Sequence, residues 1–132
     1  MSNADLYTIT RVQKVLPSFY TGETSIVTIE TDAVDMLAHE SLNFIFDFGE
    51  IDIGSWNVKY YHADLADLSD QTEVSNSDLI GRIAYFNGEF KNSVMQVGYT
   101  GNKRYVLIGL QSSAEIISNF GIIAILNASR HN

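Results

Sequence analysis

The chain has 132 residues, a net charge of −8 and no cysteine. Its length suits one domain, and 45% hydrophobic residues are enough to build a core. These totals exclude disulfides and thiolate metal sites. An acidic chain is poorly suited to direct nucleic-acid binding, in which neutralised phosphates supply most of the affinity. No apolar run reaches the ~20 residues of a membrane span, and we find no signal segment. We therefore expect neither nucleic acid nor membrane as a direct partner.

The charge is unevenly distributed along the chain. Residues 1–80 carry fourteen acidic and three basic side chains, whereas residues 81–132 carry two acidic and five basic ones. Either strands from the two halves interleave and mix the charges, or the halves form complementary faces that meet between subunits. Interleaving is the favoured interpretation, because charge counted by halves says little about faces.

Residues 1–20 are predicted to form an N-terminal arm, and residues 21–132 a single β-sandwich domain. The arm has no steady hydrophobic period, and Pro17 disfavours a helix through it. We expect the arm to pack elsewhere, for example on a neighbouring subunit.

Short strands with turn signals between them dominate the rest of the chain. Residues 32–41 are the best helix candidate, because Asp32 can cap them, but the segment is too short to be stable alone. Asn87 and Gly88 form a strong hairpin-turn signal. The predicted strands are 25–31, 42–48, 58–63, 79–86, 94–99, 104–110 and 120–126. About seven to eight strands without long helices predict an all-β fold, an antiparallel β-sandwich or jelly roll with at most a short helical turn.

The stretch with the clearest turn signal is 97–110, which is predicted to form a hairpin. Gly101 and Asn102 tolerate the positive φ that a two-residue turn needs. The strand after the turn is largely apolar on both faces, and so is the closing run 120–126. Such a run is either central in a sheet or covered by a partner. This surplus of apolar surface favours an oligomer or a bound partner.

Two acidic groups are weighed as sites for a divalent ion, namely Asp64, Asp67 and Asp70 in a loop, and Asp47, Glu50 and Asp52 after a strand. The first group lacks the ligand positions of a calcium loop. Solvated turns explain both groups better, since turns need polar residues. The sequence therefore predicts no metal site and no cofactor.

The histidines His39, His62 and His131 lie far apart and lack the i, i+4 spacing of a metal pair. His62 continues the face of Val58 and Tyr60, so we predict a hydrogen-bonded histidine at the core or its edge. A Ser-His-Asp triad stays open because triads assemble in space. No nucleophile elbow or phosphate-binding loop is present, however. We predict no catalytic residues and no enzyme, and a small hydrolase is the third hypothesis.

Several aromatic side chains are candidates for a carbohydrate-binding platform, namely Trp56, Tyr60, Tyr61, Tyr85, Tyr99 and Tyr105. Rings on a sandwich can stack on sugars, although packing in a core or interface is the default role for rings in strands. Arg104 is either a solvent-facing side chain or an anchor at a subunit contact, where arginine is enriched. The predicted interface residues are Tyr99, Lys103, Arg104, Tyr105, Ile123 and Ile125.

Residues 97–106 followed by 122–131 resemble small virion structural proteins of tailed bacteriophages. In those proteins a GYxGxKRYV hairpin precedes a further strand and an RH pair near the end of the chain. Residues 40–49 resemble a segment of those proteins that consists of Glu-Ser, a hydrophobic strand and a glycine. Residues 58–64 resemble a strand of those proteins with the sequence VKLQHSDD. The resemblance covers roughly residues 30–131.

The chain departs from this pattern at a few positions. Tyr60 and Tyr61 stand where Leu and Gln are usual, Ala63 stands where Ser is usual, and Asn132 replaces the usual alanine-proline. The resemblance implies a non-enzymatic virion component made in the host cytoplasm, a head decoration (cement) protein on the capsid surface. It implies the major capsid protein and copies of the chain, as a homotrimer, as partners. The alternative is a carbohydrate-binding or host-recognition module of a tail.

Overall fold

The computed structural model describes residues 10–128, which form antiparallel β-sheets packed face to face. The predicted antiparallel β-sandwich is confirmed. The strands are, in chain order, β1 (Thr10–Glu23), β2 (Thr28–Glu30), β3 (Val34–Asp35), β4 (His39–Ile53), β5 (Trp56–Ala63), β6 (Thr72–Glu73), β7 (Leu79–Ile80), β8 (Tyr85–Phe86), β9 (Val94–Tyr99), β10 (Tyr105–Ser112) and β11 (Ile116–Ala128). Helical structure between residues 10 and 128 consists of two 3-10 turns, Asn76–Asp78 and Gly88–Phe90. No helix in this range is long and apolar enough to cross a membrane.

Each sheet mixes strands from both halves of the chain. Sheet A has the order β1-β11-β4-β9-β7, and sheet B has the order β2-β10-β5-β6, with β3 also paired to β10 and β8 to β5. The acidic first half and the basic second half therefore interleave, so charge counted by halves does not separate the faces.

The core lies between the sheets and is rich in aromatic rings. The inward stripe of β4, with period two as predicted, is at most 2% exposed and consists of Leu42, Phe44, Phe46 and Phe48. Phe86 of sheet B packs between the sheets, with its ring centroid 4.7 Å from that of Phe48 and 5.0 Å from that of Phe120. Burying rings of this size is the main favourable contribution to folding.

The described part of the chain has eleven strands, more than the seven to eight that were predicted. Five of them have only two or three residues. A pairing this short has no hydrophobic period to detect in sequence. By contrast, β1, β4 and β11 have 13 to 15 residues and are longer than the runs that predicted them.

The predicted hairpin at 97–110 is wrong. β9 pairs with β4 and β7 in sheet A, whereas β10 pairs with β2, β3 and β5 in sheet B. The connection therefore crosses from one sheet to the other. Neither Gly101 nor Asn102 has a positive φ, so the primed turn of a tight hairpin is absent here.

Asn87 and Gly88 also connect the two sheets and do not form a hairpin. The side chain of Asn87 accepts a hydrogen bond from the backbone N–H of Glu89 and caps the 3-10 turn Gly88–Phe90. Capping is the other common role of asparagine, which is why the dipeptide misled the prediction.

The helical turn predicted within residues 32–41 is wrong as well. Val34 and Asp35 form β3 and pair with Val106 and Tyr105 of β10. Val34 is fully buried, and a turn follows in which Ala38 has φ of 66°. Tertiary packing of Val34 thus overrides a weak helical pattern.

Residues 10–20 of the predicted arm lie in β1, which pairs with β11 of the same chain. Residues 1–9 of the arm lie outside the described residues. The pairing shifts register between Lys14 and Leu16 and again between Leu16 and Phe19. The second shift contains Pro17, which has no N–H to donate to a ladder. The backbone N–H of Asp32 donates to the carbonyl of Val15 at 2.9 Å. This bond connects β1 to the segment between β2 and β3 of sheet B.

Candidate interaction site

The predicted interface residues lie in three parts of the molecule. They are Ile123 and Ile125 on the outer face of sheet A, Lys103, Arg104 and Tyr105 at one end of the sandwich, and Tyr99 in the core. These three places differ in burial and in charge.

The outer face of sheet A carries a row of aligned residues that crosses all five strands and has large apolar side chains at three of its five positions. Residues directly opposite in paired strands point to the same side of a sheet. The register aligns Val12, Ile125, Asn43, Gly98 and Ile80 in one such row. Val12 is 63% exposed and Ile80 is 66% exposed, although both are large apolar residues.

A second row lies beside the first. It aligns Lys14, Ile123, Ile45 and Gln96. Val94, opposite Asp47 of β4, adds a further apolar side chain that is 63% exposed. We call this surface the apolar outer face; its members are Val12, Ile45, Ile80, Val94, Ile123 and Ile125.

Of the residues on the apolar outer face, only Ile123 and Ile125 were predicted from sequence to lie at an interface. The alternation along β4 does put Ile45 on the side opposite Phe44 and Phe46, and that signal was available in sequence. Grouping Ile45 with Val12, Ile80 and Val94 needs the strand order, which joins residues from four distant segments.

Lys103 and Arg104 are paired within their own chain. The Arg104 guanidinium donates from Nε and Nη2 to the two carboxylate oxygens of Asp35, at 2.9 and 3.0 Å. This contact holds the pKa of Asp35 below its usual range. Lys103 Nζ lies 3.0 Å from Asp64, and the Arg104 guanidinium lies 5.1 Å from the centre of the Tyr105 ring. Such exposed pairs contribute little stability, and each base offsets the charge of its acidic partner.

Tyr99 is 3% exposed and has little surface to offer a partner. Its hydroxyl lies 2.8 Å from Nδ1 of His62 and accepts a hydrogen bond from the backbone N–H of Lys103 at 3.1 Å. His62 belongs to sheet B and Tyr99 to sheet A, so the contact joins the sheets. Burial lowers the pKa of His62 and raises the pKa of Tyr99. The predicted hydrogen-bonded histidine at the edge of the core is confirmed.

The candidate acidic groups serve local structure. Asp70 accepts hydrogen bonds from the backbone N–H groups of Asp64 and Leu65, and Asp67 accepts one from Ser69. These bonds lower the pKa of Asp67 and of Asp70. Among residues 10–128, no three His, Asp or Glu side chains are grouped closely enough to hold a metal ion.

The remaining candidate histidines do not meet a nucleophile in the described residues. His39 Nδ1 contacts the carbonyl oxygen of Leu37 at 2.8 Å, and His131 lies outside residues 10–128. His62 is hydrogen-bonded to the hydroxyl of Tyr99 and packs edge-on against its ring. The described part of the chain therefore brings no Ser-His-Asp triad together.

The aromatic candidates for a sugar platform divide into two groups. Trp56, Tyr60 and Tyr99 are buried in the core. Tyr61 and Tyr105 are partly exposed, and Tyr85 is 48% exposed. By the strand register these three tyrosines lie on the outer face of sheet B, the side of the sandwich opposite the apolar outer face.

The comparisons with known proteins yield likenesses of fold and no match by sequence. No protein-family model matches the chain, and no curated protein matches its sequence. The fold is similar to the crystal structure of the SPBc2 prophage-derived protein YomS, at 12% sequence identity and a TM-score of 0.39. The likeness covers 92% of this chain and 97% of that chain. At this level it carries no inference about function.

Proposed function

We propose that this chain is a non-enzymatic structural protein of a tailed-phage virion, a head decoration protein that docks on the major capsid protein. The proposal rests on the sequence resemblance and on one observation, the apolar outer face of sheet A. Val12, Ile80 and Val94 leave large apolar side chains in water there. Exposed apolar surface of this kind, grouped on one face, is typical of protein contacts.

The chemistry of this face fits a partner that stays bound. Its charged neighbours in the rows are Lys14 and Asp47, one of each sign, so apolar burial is the main source of affinity. A decoration protein adds such burial across joints between capsid subunits and stabilises the assembled shell by mass action. We propose a homotrimer as the docked form, on the capsid surface.

Sedimentation with capsids tests the proposal. Capsids of the encoding phage that lack this protein are mixed with the purified chain, and bound protein is measured in the pellet. We expect saturable binding by the wild type and a loss of about tenfold or more in affinity for Ile125→Lys, because a charge would then be buried in an apolar contact.

Thr28→Lys is the matched control, since it adds the same charge to an exposed position on the outer face of sheet B. The fluorescence of Trp56, the single tryptophan, reports whether each variant folds. Absence of wild-type binding, or equal binding by a folded Ile125→Lys variant, would overturn the proposal. Light scattering with and without a chelator tests the trimer, whose mass we expect to be unchanged by chelation.

A further inference from the structure

A depression of about 200 Å³ lies on the outer face of sheet B. Its floor is Gly109 of β10, where the sheet lacks a side chain between two paired strands. Polar side chains lie around the depression, unlike the apolar outer face of sheet A. The depression takes no part in the docking proposed above.

Tyr61 forms one wall of the depression. A Cβ atom placed on Gly109 would lie 3.0 Å from Cε2 of Tyr61 and 3.7 Å from Cδ2. The ring therefore leans over the bare glycine, a known way to cover glycine in a sheet. Because Tyr61 is partly exposed, part of its ring remains available to a ligand.

An acid and a base flank the glycine. Glu30 of β2 and Lys59 of β5 are the two cross-strand neighbours of Gly109. Their backbones are two strand spacings apart, about 10 Å. The described residues contain no salt bridge between these two side chains, whereas Arg104 and Asp35 do form one.

The neighbouring row supplies further hydrogen-bonding groups. The register aligns Thr28, Gln111 and Asn57 across the same three strands. All three are exposed, and within residues 10–128 no hydrogen bond engages the side chain of any of them. Donors and acceptors thus surround the Tyr61 ring without being used inside the chain.

We infer that this depression binds a neutral saccharide. A sugar ring offers a C–H face that packs on an aromatic ring and hydroxyl groups that both donate and accept hydrogen bonds. Lys59 donates, Glu30 accepts, and the amides of Asn57 and Gln111 do both. One acid and one base leave the depression near neutral, so it does not select a charged ligand. An added peptide strand pairs with a free sheet edge, whereas Gly109 at the floor of the depression lies between two paired strands.

An oligosaccharide array followed by calorimetry tests this inference. The array carries neutral, sialylated and sulfated oligosaccharides, and the strongest ligand is then titrated up to about 10 mM. We expect a neutral ligand with a Kd of about 0.1–1 mM. Tyr61→Thr removes the ring, and Gly109→Val fills the floor; each is expected to weaken binding about tenfold or more.

Tyr20→Thr is the matched control. Tyr20 also lies over a glycine, with its ring atom Cε2 2.9 Å from a Cβ placed on Gly22, but it belongs to sheet A. Removal of the Tyr20 ring should leave the affinity for the saccharide within about twofold of the wild-type value. Trp56 fluorescence confirms that each variant is folded.

The inference is overturned by any of three results: no neutral ligand binds, charged oligosaccharides bind best, or folded Tyr61→Thr and Gly109→Val variants bind like the wild type. Its failure is distinguishable from failure of the docking proposal. Tyr61→Thr should bind capsids normally, and Ile125→Lys should bind the saccharide normally.

Discussion

At the scale of single residues, His62 and Tyr99 join the two sheets near one end of β5. Burial is the largest cause that lowers the pKa of His62, followed by the positive charge of Lys103, while Asp78 and Asp64 act in the opposite direction. The neutral ring is therefore the favoured form in the folded protein. Protonation would place a charge at a buried hydrogen bond.

We predict that the free energy of unfolding falls as the pH drops below about 6.5, the ordinary pKa of histidine. The unfolded chain binds the proton at a higher pH than the folded chain does. The stabilising effect of neutral His62 is thus fully present above about pH 6.5 and is lost as the pH falls toward the lowered pKa of the folded state. Urea unfolding at several pH values from about 7.5 to 5 measures how the free energy of unfolding changes with pH.

His62→Gln should remove this pH dependence, whereas the control His39→Gln should retain it. The ring of His39 contacts a loop carbonyl and does not join the sheets. The pKa values of Asp35, Asp67 and Asp70 are lowered, so those groups titrate below this window. Equal slopes for the wild type and His62→Gln would contradict the assignment.

At the scale of strands, β1 depends on one glycine of β11. Where β1 shifts register around Pro17, its backbone approaches Gly121 closely. A Cβ on Gly121 would lie 2.8 Å from the nitrogen of Ser18 and 2.9 Å from its Cα. These are backbone atoms, so the clash cannot be relieved by turning a side chain. A glycine at this position permits the close approach.

Gly121→Ala should therefore lower the free energy of unfolding by about 1–3 kcal/mol, the usual cost of overpacking. Urea unfolding followed by Trp56 fluorescence measures the change. Gly98→Ala is the control, because its Cβ would meet a side-chain oxygen of Asn43 at 3.2 Å, which can move. If the two variants lose the same stability, the close approach of β1 is not the cause.

The sequence predicted strands better than it predicted connections. Alternation along β4 and β5 identified the inward sides of Phe44 and Tyr60 correctly, because each depends on a local period of two. The turn at Gly101 was misassigned because a flexible residue does not determine which sheet the next strand joins. That choice depends on pairing between segments far apart, such as β10 with β2 and β5. The same limit hid most of the apolar outer face.

At the scale of the whole molecule, the two outer faces differ in chemistry. The outer face of sheet A carries apolar rows around Ile123 and Ile125, and the outer face of sheet B carries the polar groups around Gly109. The two proposed activities therefore use opposite sides of the sandwich. A docked copy leaves its polar side in water.

Docking through the apolar outer face should depend weakly on salt. Between about 0.1 and 1 M NaCl the Debye length falls from about 10 to 3 Å, which screens exposed charges but not apolar burial. We expect the affinity for capsids to change less than about threefold over this range. Sedimentation at each salt concentration measures it. A tenfold or larger loss would instead indicate that charged residues such as Lys103 and Arg104 make the contact.

The long pairing of β4 with β11 also has a mechanical consequence. These strands lie side by side in the middle of sheet A, with register partners from His39 and Ala128 to Ile53 and Ile117. Antiparallel hydrogen bonds run perpendicular to their strands. A force along the strands would therefore load many of these bonds together in shear, whereas a force across the sheet would peel them one by one. The molecule should resist stretching along its strands more strongly than across them.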